Sequence, residues 1–176
     1  MRYDGAMLQE SAAPTTVPMF PDYADTVLWL VFPVDYEDTA LSPGLIRELE
    51  TWERSYCEAL DADFNWKTPE DAQAFTKTGI DLAGLVANEL GEEFVVEFAS
   101  YEIAAPTYTA HSRRRADNVG AATAFSTIAE ELEAEQERVT QLAAEAGPNA
   151  ECAACAPLAG DVLLWGGNAP QTEDRD

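Results

Sequence analysis

The 176-residue chain carries 33 acidic and 10 basic residues, a net charge of −23, on a composition that is 47% hydrophobic and otherwise ordinary for a globular protein. A field of that sign repels nucleic acid and anionic membrane surfaces and attracts basic partners. No apolar run approaches the roughly 20 residues of a membrane-spanning helix, and no basic stretch followed by an apolar core marks a secretory signal, so the expected protein is cytoplasmic, with no membrane contact and no direct contact to nucleic acid.

Residues 1–22 read as a flexible leader, because Ala12-Ala13-Pro14-Thr15-Thr16 with Pro18 and Pro21 is loop or linker composition. Residues 23–112 read as the core domain. Val27 to Phe32 is continuously apolar, which predicts a strand covered on both faces. Asp35, Glu37 and Asp38 follow at the strand end. Their spacing fits no calcium loop and no glycine supplies the turn, so a solvated acidic loop is expected there.

A helix is predicted from Pro43. Ser42 is placed to cap it, Pro43 has no N–H to lose at the first position, and Leu41 with Ile46 has the spacing of a hydrophobic staple. Leu45, Ile46, Leu49, Trp52, Tyr56, Cys57 and Leu60 form its apolar stripe. Phe64 and Trp66 fall in the short break that follows. A second helix starts at Thr68-Pro69-Glu70-Asp71, with a cap, a first-turn proline and two acids at the positive end of the helix dipole. Its buried face is Phe75, Gly79, Leu82, Val86 and Leu90, and Gly91 is the expected stop. Gly79 and Gly84 predict close packing, since each costs helix propensity. Phe94 to Phe98 alternates and predicts a half-exposed strand. Ser100 to Thr109 has β character, suited to an edge strand.

The pieces VLWLVFPVDYEDTALSPGLIRELETWERSY, DFNWKTPEDAQAFTKTGIDLAGLVANELG and FVVEF together resemble a small β-α-α-β domain of uncharacterised proteins from high-GC bacteria, over residues 27–98. The resemblance implies the fold and carries no mechanism. The predicted class is α+β: a small sheet covered by an amphipathic helix pair (β-α-α-β), plus a long acidic C-terminal helix.

Residues 113–146 read as a basic junction and that long helix. Arg113, Arg114 and Arg115 form the basic cluster, suited to gripping phosphate or an acidic partner, or to pairing with the chain's own carboxylates. Asp117 or Asn118 would cap the helix, whose apolar marks are Phe125, Ile128, Leu132, Val139 and Leu142. Glu135 and Gln136 interrupt the repeat, which favours docking on the core over a self-sufficient coiled coil; the sharper alternative is a homodimer or partner contact through the Phe125–Leu142 helix. Residues 147–176 hold Cys152 and Cys155 in a lone C-x-x-C, a short apolar run at Val162 to Trp165, and a polar tail. Neither a redox nor a zinc context surrounds the cysteines.

His111 is the lone histidine, and no phosphate loop, nucleophile elbow or HExxH helix is present. No catalytic residue, metal ligand or cofactor is assigned. The leading expectation is a non-catalytic acidic module that docks on or neutralises a basic partner protein, as immunity proteins and antitoxins do. Its candidate contact residues are Asp35, Glu37, Asp38, Arg113, Arg114, Arg115, Glu130 and Glu131. One alternative is a DNA mimic that inhibits a nucleic-acid-binding protein, although mimicry needs carboxylates in rows on one face and the acids here are spread over every element. The other is an enzyme using paired carboxylates.

Overall fold

The computed structural model describes residues 13–146. In chain order they form β1 (Thr15–Met19), α1 (Tyr36–Thr39), α2 (Pro43–Ala59), α3 (Pro69–Leu90), β2 (Phe94–Phe98), β3 (Tyr108–His111) and α4 (Val119–Ala146). The class is α+β. One compact unit ends at Val139, and the described residues of the second, Thr140 to Ala146, are the last turns of α4.

The helix ends follow the local chemistry. Ser42 Oγ accepts the Leu45 N–H at 3.4 Å, and Thr68 Oγ1 accepts the Asp71 N–H at 3.1 Å. Gly91 closes α3 with φ +82°, donating its N–H to the Ala87 carbonyl at 2.9 Å. On α2 the buried residues are Leu45, Leu49 and Trp52, while Cys57 is exposed, so the stripe is narrower at its end than predicted. The Trp52 ring stacks on Phe75 at 4.5 Å between centroids and donates its Nε1–H to the Phe75 carbonyl at 3.0 Å.

The three-stranded sheet has the order β1-β2-β3. β1 runs parallel to β2, with Thr15 opposite Phe94 and Met19 opposite Phe98. β3 is antiparallel to β2, pairing Tyr108 with Phe98 and His111 with Val95. A parallel pair needs a long connection, and α1, α2 and α3 supply it. Phe94, Val96 and Phe98 point into the core while Glu97 is exposed, as the alternation predicts. α3 packs on α2, β2 and β3. It comes so close that a Cβ on Gly79 would sit 2.5 Å from Phe98 Cζ and 2.7 Å from Trp52 Cζ2. Gly84 does not share that reason, since nothing lies within 4 Å of where its Cβ would be.

The first strand is not where the apolar run places it. Val27 and Leu28 are fully buried, but they only bridge β1: Phe20 donates to the Val27 carbonyl, Met19 faces Leu28, and Trp29 donates to the Pro18 carbonyl. The chain then turns back, with Val34 donating to the Leu28 carbonyl at 2.9 Å, and Val31 and Phe32 are left 60% and 54% exposed. The place beside β2 belongs to Thr15–Met19, from the stretch read as leader, whose Val17 and Met19 are fully buried. Because the Pro18 carbonyl faces Trp29, its nitrogen also faces away from β2. The missing N–H therefore costs the ladder nothing, as expected of proline on an outer strand edge.

One smaller correction concerns β3, and in α4 one of the two expected caps is realised. The third strand begins at Tyr108 rather than near Ser100, and the residues between β2 and β3 form a loop. In α4, Asn118 is the capping residue, its Oδ1 accepting the Ala121 N–H at 3.1 Å. Ala121 and Phe125 are fully buried, with Phe125 edge-on to Phe94 at 6.0 Å. Val139 and Leu142 are exposed, so the apolar marks of the helix divide into a docked half and a solvated half.

Candidate functional site

The connection from α2 to α3 is tightly tied. Asp61 Oδ1 accepts the N–H groups of Asp63 and Asn65, both at 2.9 Å, and the Asp61 N–H donates to the Asn65 carbonyl at 2.8 Å. These bonds hold Phe64 at φ +61°, a left-handed conformation that bulky side chains rarely adopt, with the ring 84% exposed. The loop after β2 does something similar. Ala105 donates to the Glu102 carbonyl at 3.1 Å, Ala104 takes φ +63°, and Ile103 at the tip is 93% exposed.

Between these two projecting side chains lies a groove of about 570 Å³, lined among others by Tyr56, Leu60, Trp66 and Tyr101. Its floor is aromatic: Tyr56 lies 5.5 Å from Trp66 and 5.2 Å from Tyr101, centroid to centroid. Trp66 Nε1 donates to the Tyr101 carbonyl at 3.1 Å, and the Tyr101 hydroxyl donates to the Pro21 carbonyl at 3.0 Å. Burial, then Tyr56 and Asp22, pushes the Tyr101 phenol up to about 12. Burial also raises Tyr56, with Cys57 and Asp22 adding to it. Both hydroxyls are therefore neutral, and the floor carries no charge.

The rim does. The segments that line the groove, 56–73 and 101–103, contain Glu58, Asp61, Asp63, Glu70, Asp71 and Glu102 against the single base Lys67. Lys67 Nζ is already bonded to the Glu58 carbonyl at 2.5 Å. Asp71 is partly occupied, accepting the Thr68 hydroxyl at 2.8 Å. Of these acids Glu102 lines the groove itself, Glu58 and Asp71 line a neighbouring cleft, and the groove is thus apolar and built by acid-rich segments.

The eight residues singled out from sequence lie elsewhere. Asp35 precedes α1 and makes no side-chain cap bond, and Glu37 and Asp38 sit in its first turn, so a single helical turn replaces much of the expected acidic loop. All three are exposed. Arg113, Arg114 and Arg115 are exposed between β3 and α4; Arg114 pairs with Asp117 at 3.6 Å, and Arg113 and Arg115 make no ion pair among the described residues. Glu130 and Glu131 are exposed on α4. None of the eight lines the groove. Among the described residues, no group of three or more His, Cys, Asp or Glu could hold a metal ion. No helix among them is long and apolar enough to cross a membrane. Cys152, Cys155 and the Val162–Trp165 run lie outside the described residues.

Sequence reasoning passed over Phe64, Tyr101 and Ile103 as site residues. The available signal was local: a bulky apolar residue directly after an acid, Asp63-Phe64 and Glu102-Ile103, outside either helix pattern.

Fold and groove together define a small α+β domain with an apolar cleft between Phe64 and Ile103. Residues 15–101, from β1 into the loop after β2, match the family described as Serratia CdiI immunity protein-like. The matched span contains the whole of the segment 27–98 and adds β1 to it. It also includes Tyr56, Phe64, Trp66 and Tyr101, and stops short of Ile103. No curated protein matches the chain.

Proposed function

We propose that this chain is a non-catalytic acidic protein-binding module of the immunity type, which docks on a basic toxin-like partner and neutralises it. The observation that carries the reading is the match of residues 15–101 to an immunity-protein-like family. An immunity protein works by binding its cognate toxin, so the function to expect is recognition. The charge of −23 supports a basic partner. Asp35, Glu37, Asp38, Glu130 and Glu131, all exposed, contribute to a field that steers such a partner towards the surface.

The test is a capture experiment with the tagged full-length chain in lysate of its own source, eluted in salt steps and read by mass spectrometry. A single basic protein released at moderate salt, whose purified toxic activity the chain suppresses, is the expected result. A partner that is retained unchanged at high salt would contradict the electrostatic side of the reading. A captured protein whose activity the chain leaves intact would contradict the immunity side.

A further inference from the structure

We propose that the groove between Phe64 and Ile103 is the docking site for the partner, and that it takes an apolar side chain, aromatic or aliphatic, presented on a lysine- or arginine-rich segment. The inference rests on the reading of the chain as a module for a basic partner and adds where, and by what chemistry, contact is made.

Three observations converge on this surface. The first is exposed apolar area with a fixed shape. Phe64 and Ile103 are more exposed than any other large apolar residue described, at 84% and 93%, and they stand on the two loops that border one aromatic floor. Apolar groups held this far into water, beside a cleft that would cover them, are the usual mark of an interaction site. The second is charge. Glu102 lines the groove, the two segments that build it carry five further acids, Glu58, Asp61, Asp63, Glu70 and Asp71, and Lys67, their one base, is held by a backbone carbonyl. An apolar cleft built by acid-rich segments favours a partner with the inverse pattern, apolar at the middle and basic at the edge. The third is the neutral floor. With both phenols protonated at physiological pH, nothing in the floor repels an apolar anchor or demands a counter-charge. The volume of about 570 Å³ accommodates a large side chain with some of its neighbours.

The test uses the full chain and a defined probe, the fluorescent peptide Lys-Phe-Lys-Leu-Lys-Phe-Lys, followed by anisotropy at low salt. Two control peptides replace its apolar residues by serine, or its lysines by glutamate. Binding of the first peptide is expected, with a loss of about tenfold or more on either serine replacement or the variant Phe64→Ser, the scale of one buried large apolar side chain. Ile103→Ser should behave alike, and the glutamate peptide should not bind. Because both side chains face solvent, the variants should melt with the wild type, and agreement between them guards against a folding artefact. Equal, salt-sensitive binding of the apolar and serine peptides would sink the groove while leaving a basic-partner module standing. No binding of any basic peptide at low salt would count against both. If Phe64→Ser instead dissolves a dimer seen in sedimentation, the occupant is a second copy and the proposal is overturned.

Discussion

The Glu89 carboxylate, in the last turn of α3, accepts the backbone N–H of Ser42 at 2.9 Å across 47 residues of sequence. Ser42 caps α2, and in a local capping box the acid that reaches back to the cap N–H would come from the third helical position. Here that position is Leu45, and Glu89 supplies the acid from another helix. Glu89 also accepts Asn118 Nδ2 at 3.0 Å, and Asn118 caps α4. An acid in the last turn of its own helix is unfavourable, but this one lies at the positive starts of two others.

Glu89→Ala is therefore expected to lower stability by about 1–3 kcal/mol, the scale of a hydrogen bond to a charged group and of a donor left without its partner. Chemical denaturation measures it. Asn118→Ala should be destabilising as well, and the double variant less so than the sum, because the two residues share one network. Strict additivity would show that the caps are independent.

Alanine at two glycines of α3 should have opposite effects. Gly79→Ala drives a methyl to 2.5 Å from Phe98 and 2.7 Å from Trp52, both buried, and overpacking of that kind costs about 1–3 kcal/mol. Gly84→Ala meets nothing within 4 Å, so it should gain up to about 1 kcal/mol of helix propensity. Paired thermal melts decide it.

Glu53 has its carboxyl raised above the ordinary 4.5 by partial burial first, then by Asp25 and Glu50. An acid raised in the folded state contributes stability that is complete below its unfolded pKa and lost as pH climbs through the folded one. At neutral pH the contribution is gone. Glu53→Gln should thus raise the melting temperature at pH 7 and change it little well below 4.5, a pH series of melts being the measurement.

Burial pushes the phenols of Tyr36 and Tyr101 up to about 12. Between the ordinary value of 10.0 and about 12, the unfolded chain loses those protons while the folded chain keeps them. Stability should fall with rising pH over that window. Absorbance titration of the folded protein should show late-ionising tyrosines, and Tyr101→Phe should remove one of them.

Helix ends, helix faces and the alternation of β2 were legible in the residues because each depends on neighbours a few positions away. Ser42 meets Leu45 and Thr68 meets Asp71 wherever the chain is placed. Strand partnership was not legible, since it depends on which segment reaches the open edge of β2. Val27–Phe32 is the more apolar candidate, yet Thr15–Met19 fits the slot with two buried side chains and a proline whose nitrogen needs no partner. The groove belongs to the same category. Phe64 and Ile103 are each inconspicuous in sequence, and only the packing of Tyr101 on Tyr56 and Trp66 brings their loops to one cleft. Local hydrogen bonding and periodicity act within a few residues, whereas sheet pairing and surface clefts arise from contacts between segments far apart in the chain, so their positions were settled by the folded structure.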